Sequence, residues 1–500
     1  MVNTRKRYAA MRQAAVRGST SAAAQVAMQP PNPACVIGPG QRCEHSLVNT
    51  ELNRRLAEYE ARVRSRFAAI VPILRQISAF QHEEDFLWRA QEFARERLGY
   101  DLPRDHLENA WVTGLDMSAL HTACIFRSFS QCVASADQDQ AAWRERMPIN
   151  AEFLGECGYH TVDLSPCADG RLQGVLPFVL RMAPNPDVFV KAYAGALFDV
   201  ENDVADWTQR ELDRLTGGMP GREGQNFLKI AIYHTCSSLP GTQGCAAHGS
   251  NDVVAIDAAL SRLGELRAAI ENTYGAGAAP DMVLIGVDTD IDAIRVHPPA
   301  VDGSLSAARY LDSALLYRDT LGMSASDARR RIESAVNASG DMPPGLAALI
   351  ARLIEANFSQ IEYVIQHHAG RYAVVGHDEN FICAGESVTE LQLRNMYYFA
   401  HLDTVEEGAA DMDVGIKIFT GLNLRRGLAI PVLVHFFYDS RVPGSRPRAE
   451  VRCRRVQGAI AARYPALAAS GKIRCVLAVS DRCNASGPVL LDDACADESH

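Results

Sequence analysis

The chain has 500 residues, a hydrophobic content of 47% and a formal net charge of −10. A chain of this length is expected to form roughly two to four domains, and its acidic balance argues against nucleic-acid binding as a general property. It lacks a run of about 18 apolar residues, so no transmembrane helix is expected. The thirteen cysteines, scattered without tight pairing, favour a reducing compartment over a disulfide framework.

Residues 1–45 form a basic segment that we expect to be disordered. Its six cations precede the first acidic residue, Glu44, and are Arg5, Lys6, Arg7, Arg12, Arg17 and Arg42. An Ala/Ser/Gln-rich stretch and a Pro-Pro-Asn-Pro break leave little that can be buried. The composition favours a tail that docks on an acidic partner. A solubilising tail or an organelle transit peptide has a similar composition.

Residues 46–145 are predicted to form a helical domain. Their apolar side chains recur every three or four positions, at Leu56, Tyr59, Val63, Phe67, Val71, Leu74 and Ile77. This spacing gives one apolar stripe on a helix, which Pro72 is expected to kink. His121, Cys124 and Cys132 follow in the next helical stretch, where their spacing favours a place in the core over a metal site.

Residues 146–385 are predicted to form an α/β domain with a largely parallel sheet, because short apolar strands alternate with helical patterns. The predicted strands are 187–193, 227–233, 282–287 and 372–375, and the predicted helices are 253–274, 304–320, 324–338 and 346–367. Asp288, Asp290 and Asp292 lack the Gly and the bidentate Glu of a calcium-binding loop. They are therefore predicted to form a solvated turn.

The five residues Cys167-Ala168-Asp169-Gly170-Arg171 read C-x-D-x-R and follow an apolar run that begins near Thr161. At a strand end, alternate side chains point to one face. They supply a thiolate, which is a natural zinc ligand, and a carboxylate that a guanidinium can hold in place.

A second group of metal-binding side chains follows the apolar strand that ends in His234. Cys236 comes directly after it, and Cys245 follows a turn-rich loop. Two cysteines and one histidine leave the fourth zinc position open, as catalytic zinc sites do. Either Cys236 or Cys245 can complete the set with Cys167.

Together these residues resemble the β-class carbonic anhydrases, whose C-x-D-x-R motif is met in full by Cys167, Asp169 and Arg171. The family's second motif, H-x-x-C, is not met, since position 237 is Ser. The wider spacing from His234 to Cys245, and the total length, resemble the carboxysome shell branch of the family, once treated as a separate ε class. That resemblance covers roughly residues 46–500 and favours Cys245 as the third zinc ligand, with Cys236 as the alternative.

Residues 386–500 look like a degenerate copy of the catalytic domain. The apolar segment that begins at Pro431 leads into Asp439 and Arg441, but Phe437 replaces the cysteine ligand. A later strand ends in Ser480, where the histidine would be expected. Such a repeat cannot bind zinc, and β-class enzymes work as pairs of such folds. The resemblance therefore implies two copies of a β-carbonic-anhydrase-like fold, one active and one degenerate, after an all-α domain.

The resemblance implies a zinc enzyme that interconverts CO₂ and bicarbonate. Zn²⁺ on Cys167, His234 and Cys245 would activate water, Asp169 would accept a hydrogen bond from the attacking hydroxide, and Arg171 would keep Asp169 ionised. By residue type, His248 and His377 are candidates for moving the proton. A thiol redox protein that pairs Cys236 with Cys245 and a zinc-stabilised scaffold without catalytic activity are the alternatives.

The resemblance also implies a place and partners. The expected location is the carboxysome, in its interior or at the inner face of its shell, where the enzyme would supply CO₂ to Rubisco. The tail would bind Rubisco or a shell or scaffold protein, and the chain would form a homodimer or a multiple of dimers. A sugar phosphate such as ribulose bisphosphate is a possible effector at an Arg-rich contact, for which charge selects Arg329, Arg330, Arg331, Arg425 and Arg426. Neither nucleic acid nor a membrane is expected as a partner.

Overall fold

The computed structural model describes residues 44–491 except 109, 145, 186, 217–225, 389–390, 403 and 484–486. The chain divides into the units Met1–Arg42 and Cys43–His500, and every element described below belongs to the second unit. The six cations of the predicted basic tail lie outside the described residues. Among the helices in the described ranges, none combines the length and the apolar character needed to cross a membrane.

Helices form the N-terminal part of the second unit. They are α1 (Thr50–Ala79), α2 (Phe86–Leu98), α3 (Ala110–Thr113), α4 (Met117–Arg144) and α5 (Ala151–Glu156). Asn49 caps α1 by accepting a hydrogen bond from the Leu52 backbone N–H, which satisfies one of the free donors of the first turn. The helix continues through Pro72, and its apolar stripe is buried. Cys124 and Cys132 lie in the same core, as predicted.

The first sheet is largely parallel and has the order β2-β1-β3-β4-β5-β6. Its strands are β1 (Tyr159–Pro166), β2 (Val188–Val190), β3 (Asn226–Thr235), β4 (Asp281–Asp288), β5 (Ala293–His297) and β6 (Leu311–Asp312). The four strands β2, β1, β3 and β4 run parallel to one another, and β5 and β6 each pair antiparallel with the preceding strand. Every residue of β3 after Asn226 is buried, which is typical of a parallel strand with both faces covered.

Helices connect the strands of this sheet and follow its last strand. They are α6 (Val200–Thr216), α7 (Asp252–Tyr274), α8 (Ser313–Thr320), α9 (Ala325–Ala338) and α10 (Pro344–His367). Asn251 caps α7 and Asp312 caps α8, each by accepting hydrogen bonds from backbone N–H groups of the first turn.

The second sheet has the order β11-β10-β9-β7-β8. Its strands are β7 (Phe381–Gly385), β8 (Tyr397–His401), β9 (Ile430–Tyr438), β10 (Ile473–Asp481) and β11 (Val489–Leu490), and its helices are α11 (Val405–Leu422), α12 (Ser445–Arg463) and α13 (Pro465–Ala469). All neighbours are parallel except β10 and β11. The chain is thus a mixed α/β protein with two parallel-rich sheets and an N-terminal helical region.

Strand β8 joins the second sheet to the loop that follows β1. Its Phe399 N–H donates to the carbonyl of Ala168 at 3.3 Å, and the Asn395 N–H donates to the carbonyl of Gly170 at 2.7 Å. The backbone on either side of Asp169 is therefore hydrogen-bonded to the C-terminal half of the chain.

A buried ionic network fastens α6 to the first sheet. The Nζ of Lys229 lies 2.9 Å from an oxygen of Asp163 and 2.8 Å from the hydroxyl of Ser165, and it also contacts Asp203 on α6. Lys191 Nζ lies 2.9 Å from Asp203 and 3.1 Å from Asp163. Two lysines thus neutralise two carboxylates that are almost fully buried.

We expect Lys229→Met to destabilise the fold. The substitution keeps most of the side-chain volume but leaves Asp163 and Asp203 with one cation between them, and breaking a buried pair costs about 3–5 kcal/mol. Chemical denaturation should show a lower midpoint. The matched control is Lys417→Met on the exposed face of α11, which should shift the midpoint little. Equal midpoints for both variants would contradict a stabilising role for the network.

Two of the predicted elements are wrong, and a third is wrong in part. The predicted helix 304–320 is a loop, then β6, then α8 from Ser313, because Asp312 caps a new helix. Residues 372–375 form no strand, and their carbonyl groups instead accept side-chain hydrogen bonds from Arg171 and Arg394. The predicted solvated turn is present as a turn between β4 and β5, but its solvation is wrong, since Asp290 and Asp292 are buried.

Candidate metal centre

Cys167 lies directly after β1, where two neighbouring segments hold its backbone. Its N–H donates to the carbonyl of Ile232 at 3.0 Å, and the next N–H donates to the carbonyl of Tyr193 at 2.9 Å. The strand itself ends at Pro166, and Cys167 extends it by a parallel β-bridge to Tyr193. Cys167 therefore lies at the predicted strand end, whereas Asp169 and Arg171 lie in the turn that follows. Asp169 caps that turn by accepting from the Arg171 N–H at 3.0 Å.

His234 is the penultimate residue of β3 and is completely buried. Neither of its ring nitrogens makes a hydrogen bond to any residue that the structure describes, although its Nε2 lies 3.5 Å from an oxygen of Asp169. Buried polar groups normally have partners. A buried imidazole nitrogen with no hydrogen-bond partner among the described residues is suited to bind a metal ion.

Cys245 brings a second thiol to the same place from the loop between β3 and α7. Its Sγ lies 3.7 Å from that of Cys167. The ligand atoms of Cys167, His234 and Cys245 all lie within 4.8 Å of one another. The hydrogen bond from the Cys245 thiol holds the pKa of Cys167 well below its usual range, and the same contact raises the pKa of Cys245.

Cys236 is not part of this group. Its Sγ lies 3.4 Å from Asp290, whose carboxylate also accepts hydrogen bonds from Ser237 and Ser238. The geometry thus brings Cys245, and not Cys236, next to Cys167. Cys236 and Cys245 are free thiols with different partners, so the redox alternative gains no support from these contacts.

Asp169 and Arg171 form a bidentate ion pair beside the thiols. Arg171 Nε donates to Oδ1 at 2.8 Å and its Nη2 donates to Oδ2 at 2.7 Å. The guanidinium also donates to the carbonyls of Gly244 at 3.2 Å and Val375 at 3.0 Å. Burial favours the neutral form of Asp169, but Arg171 outweighs it and holds the pKa well below its usual range. The carboxylate is therefore ionised and fixed in direction.

His377 and Glu379 complete the surroundings of Asp169. His377 Nδ1 lies 2.9 Å from Glu379 Oε1, and its Nε2 lies 3.8 Å from Asp169 Oδ2. Burial lowers the pKa of His377, but Asp169 and Glu379 outweigh it and raise the value from 6.5 to about 9. Glu379 was not predicted from the sequence; its only signal was an acidic residue two positions after His377.

The three ligand atoms suit a soft divalent metal. Two thiols and one imidazole are a donor set that zinc prefers, and three protein ligands leave one position open for water or substrate. The ring nitrogens of His234 have no hydrogen-bond partner among the described residues, and the two sulfurs lie 3.7 Å apart. These donor atoms are therefore available and close enough to bind one metal ion. The site can therefore hold a metal and present an open position beside an oriented carboxylate.

Family models cover most of the chain. The models described as Carboxysome Shell Carbonic Anhydrase match with their N-terminal part at residues 45–137, their catalytic domain at 149–377 and their C-terminal part at 378–494. The candidate metal centre lies within the catalytic match.

Curated proteins with the name "Carboxysome shell carbonic anhydrase" are similar over almost the same length. That of Parasynechococcus marenigrum (strain WH8102) is 47% identical over 447 residues, which cover 88% of this chain and 77% of the relative. That of Prochlorococcus marinus (strain MIT 9313) is 46% identical, with 88% and 87% covered. That of Halothiobacillus neapolitanus (strain ATCC 23641 / c2) is 41% identical, with 87% and 88% covered. The chain belongs to the carboxysome shell carbonic anhydrase family, and it is an enzyme of the carbonic anhydrase class.

Proposed function

We propose that Cys167, His234 and Cys245 hold Zn²⁺ and that this site catalyses the reversible hydration of CO₂ to bicarbonate. The observation that carries the proposal is the buried cluster of two thiols and an unpaired imidazole beside an ionised, clamped carboxylate. When bound by these three residues, Zn²⁺ would supply a nucleophile at neutral pH by lowering the pKa of water from about 15.7 toward 7.

Asp169 orients the attacking water. Its Oδ2 lies 3.5 Å from the His234 Nε2 and has a lone pair available to accept a hydrogen bond, which aims the attacking oxygen at CO₂. Arg171 keeps this carboxylate ionised and away from the metal. It also fixes the carbonyl of Gly244, the residue before Cys245, so one guanidinium positions both the carboxylate and a ligand loop.

His377 moves protons between the site and solvent. Its side chain is 21% exposed and lies beside Asp169, whereas the Nε2 of His248 is buried against a backbone carbonyl. The pKa of about 9 means that the imidazolium form predominates at neutral pH. His377 would therefore deliver a proton in the dehydration of bicarbonate, and it would accept one in CO₂ hydration as the pH approaches 9. The stabilisation of the imidazolium form is complete below pH 6.5, the ordinary value, and is lost as the pH rises through about 9.

We expect His377→Gln to keep its zinc and to lose activity in weakly buffered solution, on the order of 10²-fold. Glutamine retains polar contacts but cannot carry the proton, so added imidazole buffer should restore the rate. The exposed His82 provides a matched control, and His82→Gln should behave as the parent chain. Stopped-flow CO₂ hydration near pH 9, where the neutral imidazole is populated, measures both variants at several buffer concentrations. Buffer-independent loss in His377→Gln would rule out the proton-transfer role.

We also propose that the C-terminal part, predicted as residues 386–500, is a degenerate copy of the catalytic domain, predicted as 146–385. The boundary moves to before β7, because β7 (Phe381–Gly385) pairs with β8 and β9 in the second sheet. The support for a copy is the ion pair of Asp439 and Arg441, which repeats the contacts of Asp169 and Arg171. Arg441 Nε and Nη2 lie 3.0 and 2.8 Å from the two carboxylate oxygens, and the Arg441 N–H donates to the first of them at 2.9 Å. Phe437 stands where the first cysteine ligand would be.

The degenerate half supports the active half through backbone contacts. The hydrogen bonds from Phe399 and Asn395 fix the carbonyls of Ala168 and Gly170. In the full proposal, a tail (predicted as 1–45) and a helical domain (46–145) precede the two copies, and the chain assembles as a homodimer or a multiple of dimers.

Within the carboxysome, the enzyme would supply CO₂ to Rubisco, and the basic tail would bind Rubisco or a shell or scaffold protein. The predicted tail ends before residue 45, because His45 is buried and its Nε2 lies 2.9 Å from the Thr320 hydroxyl. Deleting residues 1–43 should therefore leave CO₂ hydration intact and abolish packaging into carboxysomes. Exposed charge pairs are screened beyond about 8 Å at 0.15 M salt, so capture of Rubisco or scaffold protein by the tail should weaken as salt rises. A tail with its six cations changed to Gln is the control. Normal packaging of the truncated enzyme would contradict the tether.

Ribulose bisphosphate is a further proposed effector, and the five arginines selected by charge fall into two groups. Arg329 pairs with Glu355, Arg330 with Asp327, and Arg331 with Asp319. Arg425 and Arg426 lie exposed in a short turn between α11 and β9. The turn is therefore the better candidate for a sugar-phosphate site, because the three other arginines already pair with carboxylates. CO₂ hydration that does not respond to ribulose bisphosphate would dismiss this effector.

A further inference from the structure

His248 is a buried histidine close to the metal centre that is not one of its ligands. It ends the short helical turn Ala246–His248, which Cys245 begins. The backbone N–H groups of His248 and Ser250 both donate to the carbonyl of Cys245, at 3.1 and 2.9 Å. The ring is thus fixed to the turn that carries one of the two thiols.

The ring reaches from this turn to the loop that follows β2. Its Nε2 lies 3.1 Å from the carbonyl oxygen of Gly195. A carbonyl oxygen can only accept a hydrogen bond, so the Nε2 carries the proton and donates. That nitrogen is therefore committed to Gly195 and is not a proton acceptor for catalysis.

The same glycine contacts the other thiol. The Gly195 N–H donates to the Sγ of Cys167 at 3.4 Å. Gly195 has a φ of +73°, a conformation that residues with a Cβ seldom adopt, and a Cβ there would collide with the His248 ring. One residue is thereby held between the ring and the sulfur, with its carbonyl on the His248 ring and its N–H on the Cys167 Sγ.

We propose that His248 is a positioning residue that fixes the hydrogen bond received by the Cys167 sulfur and ties it to the turn of Cys245. The inference rests on the metal site proposed above. A hydrogen bond to a thiolate withdraws electron density from sulfur. Groups that orient or tune a metal ligand in this way typically change metal affinity by about 10–100-fold when they are removed.

Two variants separate the hydrogen bond from the presence of the ring. His248→Ala removes the donor and leaves the Gly195 carbonyl buried without it, whereas His248→Gln keeps an N–H donor of similar reach. The matched control is His435→Ala in the C-terminal half, where a buried histidine also contacts a backbone carbonyl, that of Glu386 at 2.9 Å. It lies in the half that lacks the cysteine ligands.

The experiment measures zinc affinity by competition with a chelator, on the full chain, for the parent and the three variants. It also records the thiolate-to-metal charge-transfer band after substitution with Co²⁺, because that band reports electron density on sulfur. We expect His248→Ala to bind zinc about 10–100-fold more weakly and to move the band to longer wavelength. His248→Gln should recover most of both values, and His435→Ala should change neither.

Zinc affinity and a cobalt band that are unchanged in His248→Ala would overturn the inference and leave the proposed metal site intact. An equal loss in His248→Ala and His248→Gln would also overturn it, because the hydrogen bond would then not be what matters. If the parent chain itself fails to bind zinc, the proposed function fails first. The two failures are therefore distinguishable in one set of measurements.

Discussion

Replacing any of the three ligands should abolish both zinc binding and CO₂ hydration. Cys167→Ser, His234→Ala and Cys245→Ser each remove one of only three protein donors, so the remaining pair cannot hold the metal. The loss of activity should exceed the roughly 10–100-fold typical when an outer partner is removed. Metal analysis and stopped-flow CO₂ hydration on the same preparations measure the two effects.

Cys236→Ser is the matched control for these variants. It removes a buried thiol from the same loop region, but that thiol contacts Asp290 and not the cluster. It should retain zinc and most of the activity. The assignment of the third ligand is wrong if Cys236→Ser loses the metal while Cys245→Ser keeps it.

Asp169→Asn should separate metal binding from catalysis. The amide is nearly the same size as the carboxylate, but it carries no charge to hold Arg171 and is a poorer hydrogen-bond acceptor for the attacking water. We expect zinc to stay bound and activity to fall on the order of 10²-fold or more. Metal content and CO₂ hydration rates, measured side by side, test both parts of the expectation.

The second half of the chain offers a control with the same chemistry. Asp439→Asn breaks an ion pair of almost identical geometry, but one in which the Arg441 side chain is 78% exposed. One thiol, that of Cys483, donates to Asp439 at 3.0 Å, but the described residues place no second thiol and no imidazole with it as a metal-binding group. The substitution should leave catalysis nearly unchanged. Full activity in Asp169→Asn, or a comparable loss in Asp439→Asn, would remove the orienting role from Asp169.

The sequence predicted the centre of the site because its residues follow buried strands. The parallel strands β1 and β3 are apolar along almost their whole length, and Cys167 and His234 come where those strands end. Parallel neighbours bring such positions to one edge of the sheet. The choice between Cys236 and Cys245 could not be made from strand periodicity, since both lie in a loop whose path depends on tertiary contacts.

Long-range contacts determine the strands and the buried carboxylate that the sequence did not predict. Strands β7 and β8 were not predicted, although Phe399 in β8 and Asn395 just before it supply the backbone donors that fix Ala168 and Gly170. Asp292 was expected in water, but it is buried and accepts hydrogen bonds from Gln360 and Tyr372 at 2.8 and 3.0 Å. Local spacing carries no information about partners that lie tens of residues away. The start of α8, by contrast, is encoded locally, because Asp312 followed by Ser313 is a helix-start signal.

The most direct test of the central claim is to titrate zinc and CO₂ hydration together on one preparation. Chelation should remove the metal and the activity, and adding zinc back should restore the rate in proportion to the metal bound, up to one zinc per chain. The same addition to Cys167→Ala should restore nothing. Full CO₂ hydration by the chain after its zinc has been removed would contradict the account.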